Sequence, residues 1–224
     1  MKARIAEIFQ SIQGEGIYLG KEQIFIRFYG CNLDCCRFCD TKLHSFEEYE
    51  PDDLLKVITS SYYGRYSISL TGGEPLLQKD FLKEFLPLVK EAGFKAYLET
   101  NATLADALND IIAYIDVIAM DFKFPSSTGL KGLWQEHEDF LDIAVQRETF
   151  IKAVICNSTD WADLKKATEL LSGLNRDLPF ILQPNSFELD GLLMNKIQEF
   201  QRYALRFLSD VRVVPQMHKL MGVR

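Results

Sequence analysis

No run of this 224-residue sequence is apolar for anything near the ~20 residues that a membrane-crossing helix needs, so no membrane association is expected. The opening Met1-Lys2-Ala3-Arg4-Ile5 meets Glu7 and Gln10 without the apolar core of a secretory leader, which predicts a cytoplasmic protein. An excess of basic residues is missing too. The formal net charge is −7, a poor match for phosphate backbones, so nucleic acid is not an expected partner. No repeat, low-complexity tract or linker divides the chain, and residues 1–224 are read as one domain. With 47% hydrophobic and 25% charged residues, the composition suits a packed core and excludes disorder.

Cysteine is scarce outside one place. Cys31, Cys35, Cys36 and Cys39 crowd together, and Cys156 stands far away. Five cysteines, an odd number, do not suggest a disulfide framework. Crowded thiolates are soft ligands, suited to zinc or to an iron–sulfur cluster. A structural zinc site usually takes four ligands from two separated CxxC pairs. A second pair is lacking here, and His44 is the only histidine nearby. A thioredoxin-like dithiol at Cys36 and Cys39 fits less well, because its CxxC opens a helix after a different strand pattern. Three thiolates in so short a loop can grip three irons of a cubane and leave the fourth open to chelate a cofactor or substrate.

Short β-rich runs alternate with amphipathic stretches. Strands are expected at Gln23–Tyr29, Tyr66–Leu70, Lys95–Glu99, Val117–Met120, Thr149–Ile155, Pro179–Gln183 and Val211–Pro215. Helices are expected to open at Pro51-Asp52-Asp53 and at Asp80. Another should run from caps at Ser158, Thr159 and Asp160 to about Leu171, and a long one from about Leu192 to Leu208. Such alternation implies βαβ units and a mostly parallel α/β sheet. A closed (βα)₈ barrel takes about 250 residues, so this chain predicts a partial, open (βα) barrel with its chemistry at the carboxyl ends of the strands.

Gly30-Cys31-Asn32-Leu33, followed by Cys36-Arg37-Phe38-Cys39-Asp40-Thr41, resembles the signature of the radical S-adenosylmethionine (SAM) enzymes, whose usual spacing is CxxxCxxC. Here one residue is added. Cys31 and Cys35 fit the first gap, and Cys36 and Cys39 fit the second. We take Cys31, Cys36 and Cys39 as the cluster ligands, since related family members lengthen the first gap. Cys35 stays open as an alternative ligand or a spare thiol, and Asp40 is read as organising the loop. Thr71-Gly72-Gly73-Glu74-Pro75 resembles the family's GGE motif, and adjacent glycines at a strand end let backbone approach a ligand closely. The resemblance implies that Gly72, Gly73 and Glu74 hold the methionyl ammonium of SAM, with Glu74 as its charged partner. Phe38 would lie against the adenine, and Glu99, Asp121, Lys123 and Ser126 would complete the cofactor pocket. The family often has glycine after the asparagine of Glu99-Thr100-Asn101; this chain has Ala102.

Four further segments narrow the resemblance: Gln13-Gly14-Glu15-Gly16, Arg27, Lys123–Ser127, and the run Gln216-Met217-His218-Lys219. Together they resemble the 7-carboxy-7-deazaguanine synthases, lyases of queuosine biosynthesis, over nearly the whole chain. The resemblance implies a 4Fe–4S cluster, SAM and Mg²⁺ as cofactors, and radical ring contraction of 6-carboxy-5,6,7,8-tetrahydropterin with loss of ammonia. Arg27 offers a two-pronged cation for the pterin carboxylate. Glu15 and Gln13 can read its amino edge, with Gly14 beside them, and Gln216 and His218 would close the site. Thr41 matches the Mg²⁺ position. The same resemblance implies a one-electron donor such as flavodoxin, and a homodimer. An activating enzyme for a glycyl-radical protein is the nearest rival, and a non-catalytic metal-binding module is a rival of another class.

Overall fold

The computed structural model describes residues 1–33, 36–39, 41, 43–62 and 67–222, so Cys35, Asp40 and Tyr66 lie outside the described residues. The elements are, in chain order, β1 (Ala3–Ile12), β2 (Glu22–Phe28), β3 (Glu47–Tyr49), α1 (Pro51–Ser61), β4 (Ser67–Gly72), α2 (Lys79–Glu91), β5 (Lys95–Thr100), α3 (Ala105–Ile111), β6 (Val117–Asp121), α4 (Pro125–Thr128), α5 (Trp134–Ala144), β7 (Glu148–Ile155), α6 (Trp161–Leu174), β8 (Phe180–Pro184), α7 (Gly191–Ala204), β9 (Val211–Val213) and α8 (Met217–Met221). They build one nine-stranded sheet in the order β3-β1-β2-β4-β5-β6-β7-β8-β9. Every neighbouring pair from β2 to β9 is parallel, and β1 and β3 are antiparallel additions at one edge. The order has two ends, so the barrel is open. Among the described residues no helix is long and apolar enough to cross a membrane.

Residues alternate along each strand, and the two faces differ in kind. One set, including Ile26, Phe28, Leu70, Leu98, Ile118, Met120, Ile151 and Ile155, packs under the helices against Leu54, Phe81, Phe85, Leu141, Leu164 and Ile197. Burial of each such side chain stabilises by roughly 1.5–3 kcal/mol, so this outer layer carries the fold. The opposite face holds a smaller apolar group of Tyr97, Val117, Ala119, Phe150 and Ile181, packed by Ile17 and Tyr18. Ile17 and Tyr18 belong to the short 3₁₀ turn Gly16–Tyr18 that follows β1, and Tyr18 meets Tyr97 edge-on at 5.5 Å. Gly16 has φ +64°, and a Cβ there would strike the Phe150 ring, so this turn requires glycine.

The structure differs from the sequence expectation at several ends. Strand β1 was not expected from the sequence; it pairs antiparallel with β2, and its register shifts between Ile5 and Glu7. A bulge of that kind breaks the alternation that marks a strand. Helix α7 stops at Ala204, yet Leu208 beyond it is buried, so the apolar spacing outlasts the helix. Strand β9 ends at Val213, before Pro215, which has no N–H for a ladder. Asp160 precedes α6 without a side-chain cap, because the Thr159 hydroxyl accepts instead from the Cys156 N–H at 2.7 Å.

Candidate active site

Beside that smaller apolar group, the sheet face away from the helices carries polar and charged side chains. Arg27 on β2, Thr71 on β4, Glu99 on β5, Asp121 on β6, Lys152 on β7 and Gln183 on β8 line one cavity of about 820 Å³. Cys31, Cys36, Phe38, Cys39 and Thr41 line it from the loop after β2. Gln13, Gly14 and Glu15 line it from the segment after β1, and Gln216 and His218 from the segment after β9.

Backbone bonds hold the cysteine loop. The Cys39 N–H donates to the Cys36 carbonyl at 2.9 Å, and the Arg37 N–H to the Thr128 carbonyl at 3.1 Å. The Asn101 amide donates to the Asn32 side chain at 2.8 Å and reaches the Cys31 sulfur at 3.9 Å. Cys31, Cys36 and Cys39 form no disulfide with one another, and burial pushes the Cys36 thiol above its ordinary value. Lys123 Nζ stands 5.4 Å from the centre of the Phe38 ring.

The glycines after β4 serve the chain before they serve any ligand. Gly72 has φ +128°, and a Cβ on Gly73 would collide with the Gly30 carbonyl. That close approach lets the Gly73 N–H reach the Phe28 carbonyl at 3.1 Å and the Glu74 N–H reach the Gly30 carbonyl at 2.8 Å. The glycine pair thus presses against the root of the cysteine loop, where the sequence suggested close approach to a ligand. Glu74 is fully buried and does not line the cavity. Its carboxylate accepts from the Asn101 N–H at 2.7 Å, the Thr100 hydroxyl at 2.9 Å and the Leu76 N–H at 3.1 Å. Burial nonetheless outweighs these donors and pushes its carboxyl up to about 7. Ser126 also lies off the cavity: its hydroxyl donates to Asp163 at 2.5 Å and accepts from the Asp160 N–H, joining α4 to α6.

Side-chain charge organises the floor. Lys152 Nζ bonds Glu15 Oε2 and stands 3.6 Å from Asp121, which also pairs with Lys123 at 2.9 Å. Burial alone would raise the Glu15 carboxyl, but the Lys152 ammonium, the Gln216 amide and His218 hold it well below the carboxylate range. Gln13 donates to Glu99 at 2.8 Å and to Gln23 at 3.0 Å, and its own carbonyl accepts from the Glu15 N–H at 3.1 Å. Glu99, expected beside the cofactor, accepts also from the hydroxyls of Thr71 at 2.7 Å and Ser69 at 3.3 Å. Arg27 pairs with Glu7 through Nε at 3.0 Å and lies 5.7 Å from the Phe9 ring centre. Buried ion pairs of this kind contribute little net stability, so their concentration on one face marks a working site.

The segment after β9 closes the side that the sheet leaves open. The Met217 N–H donates to the Gly14 carbonyl at 3.0 Å, and the Gln216 amide donates to Glu15 Oε1 at 2.8 Å. The His218 ring packs so closely on Gly14 that a Cβ there would overlap it.

Sequence reasoning missed Lys152, Gln183 and His137. A lysine at an alternate position of the apolar run Phe150–Ile155 was the available signal, since a central strand admits a charge only if it is paired. Asp121 Oδ1 and Gln183 Oε1 are buried acceptors with no hydrogen-bond partner among the described residues, which suits a ligand that brings donors. His137 accepts from the Lys123 N–H at Nε2 (3.1 Å), so its Nδ1 carries the proton that meets the Ala102 carbonyl, also at 3.1 Å. Burial lowers this imidazole to about 4 and keeps it neutral. Ala102 has φ +56°, a left-handed conformation at the position where the family often has glycine.

The chain is similar to known proteins in sequence and in fold. The Radical SAM superfamily model matches residues 25–171. The 7-carboxy-7-deazaguanine synthase of Geobacter sulfurreducens is 40% identical over 98% of this chain and 97% of its own length. That of Archaeoglobus fulgidus is 36% identical over the whole of both chains. The crystal structure of QueE from Escherichia coli shares the fold, with a TM-score of 0.68 at 24% identity over 96% of this chain and 94% of that one.

Proposed function

Because the chain belongs to the radical SAM superfamily and, within it, to the 7-carboxy-7-deazaguanine synthases, we infer that residues 1–224 act as one unit that contracts the ring of 6-carboxy-5,6,7,8-tetrahydropterin inside the cavity under the sheet. It is a lyase of queuosine biosynthesis whose cofactors are a 4Fe–4S cluster, SAM and Mg²⁺. The observation that carries the site assignment is the meeting of three thiols, the glycine pair, Arg27, Glu15 and His218 around one cavity, although they come from four distant stretches of sequence.

The donor set fits the cluster: Cys31, Cys36 and Cys39 are free thiols facing one space. When bound, the cluster and SAM supply one-electron cleavage of a sulfonium bond and removal of a hydrogen atom from a substrate carbon. The chain's own residues bind and orient. The backbone at Gly72 and Gly73 takes the methionyl ammonium, and the Glu74 carboxylate ties the turn after it to the end of β5 by accepting the Leu76 and Asn101 amides. Phe38, Asp121 and Lys123 flank the cofactor. Ser126 supports the pocket through Asp163 without touching it. Arg27 turns from Glu7 toward the pterin carboxylate, where two parallel N–H donors match two oxygens. Glu15 and Gln13 take the amino edge, with Glu99 bracing Gln13. Gln216 and His218 hold the closing segment on Gly14, excluding water from that side. Thr41 offers its hydroxyl to Mg²⁺, a hard cation that keeps waters and takes further oxygens from substrate. A one-electron carrier such as flavodoxin supplies the reductant, and the working unit is a homodimer in the cytoplasm.

An anaerobic assay with reductant, SAM, Mg²⁺ and carboxytetrahydropterin tests this reading. The deazaguanine should form together with ammonia. Cleavage of SAM without any conversion of the pterin would leave the radical chemistry and remove the pterin assignment.

A further inference from the structure

We propose that Lys152 is a positioning residue that fixes Glu15 as an ionised, non-rotating acceptor for the amino edge of the pterin. The inference rests on the assignment of this cavity to the pterin. Lys152 projects from the middle of β7 between Phe150 and Val154, and its ammonium bonds Glu15 Oε2. The other oxygen, Oε1, accepts from the Gln216 amide at 2.8 Å. A carboxylate held at both oxygens cannot turn, and each oxygen keeps a second acceptor position. Two parallel N–H donors, such as a ring N–H beside an exocyclic amino group, are what such a group takes.

The surrounding charges show why lysine is needed. Glu99 on β5, Asp121 on β6 and Glu15 face Lys123 and Lys152 across one cavity, with His218 on the closing segment. Asp121 has two cations, at 2.9 Å and 3.6 Å. Glu99 is held by neutral donors from Gln13, Thr71 and Ser69. Glu15 has no ion-pair partner but Lys152 among the described residues. Removing Lys152 therefore strands the carboxylate that burial already opposes, and Glu15 takes up a proton. A protonated Glu15 presents an O–H where the pterin also presents N–H groups, and recognition fails.

The test uses cluster-loaded enzyme with Lys152→Gln, Lys152→Arg, Glu15→Gln and the double variant Glu15→Gln/Lys152→Met. With Lys152→Gln, kcat/KM for the pterin should fall roughly 10- to 100-fold at neutral pH. It should recover as pH rises through the new Glu15 titration, a limb that wild type lacks, while SAM affinity by calorimetry stays unchanged. Lys152→Arg should restore the flat profile. If Lys152→Gln does not fold, the double variant decides: acting through Glu15, Lys152 should add no loss beyond Glu15→Gln alone. A Lys152→Gln profile parallel to wild type, or additive losses in the double variant, overturns the proposal. Wild-type enzyme that cleaves SAM but never converts the pterin overturns the parent reading, and this one with it.

Discussion

The cofactor wall and the pterin floor of the cavity hold their buried carboxylates in opposite ways. On the wall, Glu74 is surrounded by backbone N–H groups and one hydroxyl, has no ion-pair partner among the described residues, and is pushed up to about 7 by burial. On the floor, Glu15 grips an ammonium and is held far below its usual range. The wall is therefore a backbone construction, in which glycines and turns set shape. The floor is an electrostatic construction, in which side chains from distant strands set charge. Substitutions on the wall should damage architecture and cofactor loading together, whereas those on the floor should leave the cofactor half intact.

The largest expected effect comes from the wall. Cys36→Ala should abolish the visible absorbance of the reconstituted protein and all SAM cleavage, as should Cys31→Ala and Cys39→Ala. Retention of full absorbance by Cys36→Ala, together with its loss in Cys35→Ala, would move the ligand to Cys35. Next, Gly73→Ala should destabilise the apo-protein by about 2–3 kcal/mol in denaturant titration, because its Cβ meets the Gly30 carbonyl, which cannot swing aside. A loss near zero would show that the two loops can slide apart. On the floor, Arg27→Gln should lower product formation by the loss of a charge-assisted pair, about 1.5–3 kcal/mol, with SAM cleavage still measurable by chromatography. Equal loss of both would erase the division between wall and floor.

The remaining effect is a pH signature. Glu74 has a folded value of about 7 against an ordinary 4.5, so it favours the folded state fully below 4.5, and this contribution is lost as pH rises through 7. Glu15 is lowered, so its contribution is present above 4.5 and is lost as pH falls into the acid range. Melting of the apo-protein should show Glu74→Gln flattening the decline between pH 4.5 and 7, by up to ~3 kcal/mol, without changing the acid limb. An unchanged slope would mean that the amides around Glu74 outweigh its burial.

The same division explains what could be read in the chain. Wall motifs are short-range: Cys31, Cys36 and Cys39 share one loop, and Gly72-Gly73-Glu74 ends one strand, so spacing carries them. Strand existence was legible from β-rich runs, but β1 was hidden by its bulge and the end of α7 by the continued burial to Leu208. Side-chain direction is not written in a motif. Glu74 and Ser126 match by position yet turn into the protein, and Glu99 accepts from both Gln13 and Thr71. Floor pairs are long-range. Nothing local to Lys152 names Glu15, 137 positions away, and nothing local to His137 names Ala102.

The bond between Gln216 and Glu15 spans 201 positions. Closing so long a loop carries an entropic cost that falls once the intervening strands have paired. The closing segment is secured by a few hydrogen bonds and a histidine on a glycine rather than by an apolar layer. A segment held by so few contacts opens at a lower free energy than the packed core beneath it. Release of this segment would uncover the chamber and leave the sheet's ladder of strands paired.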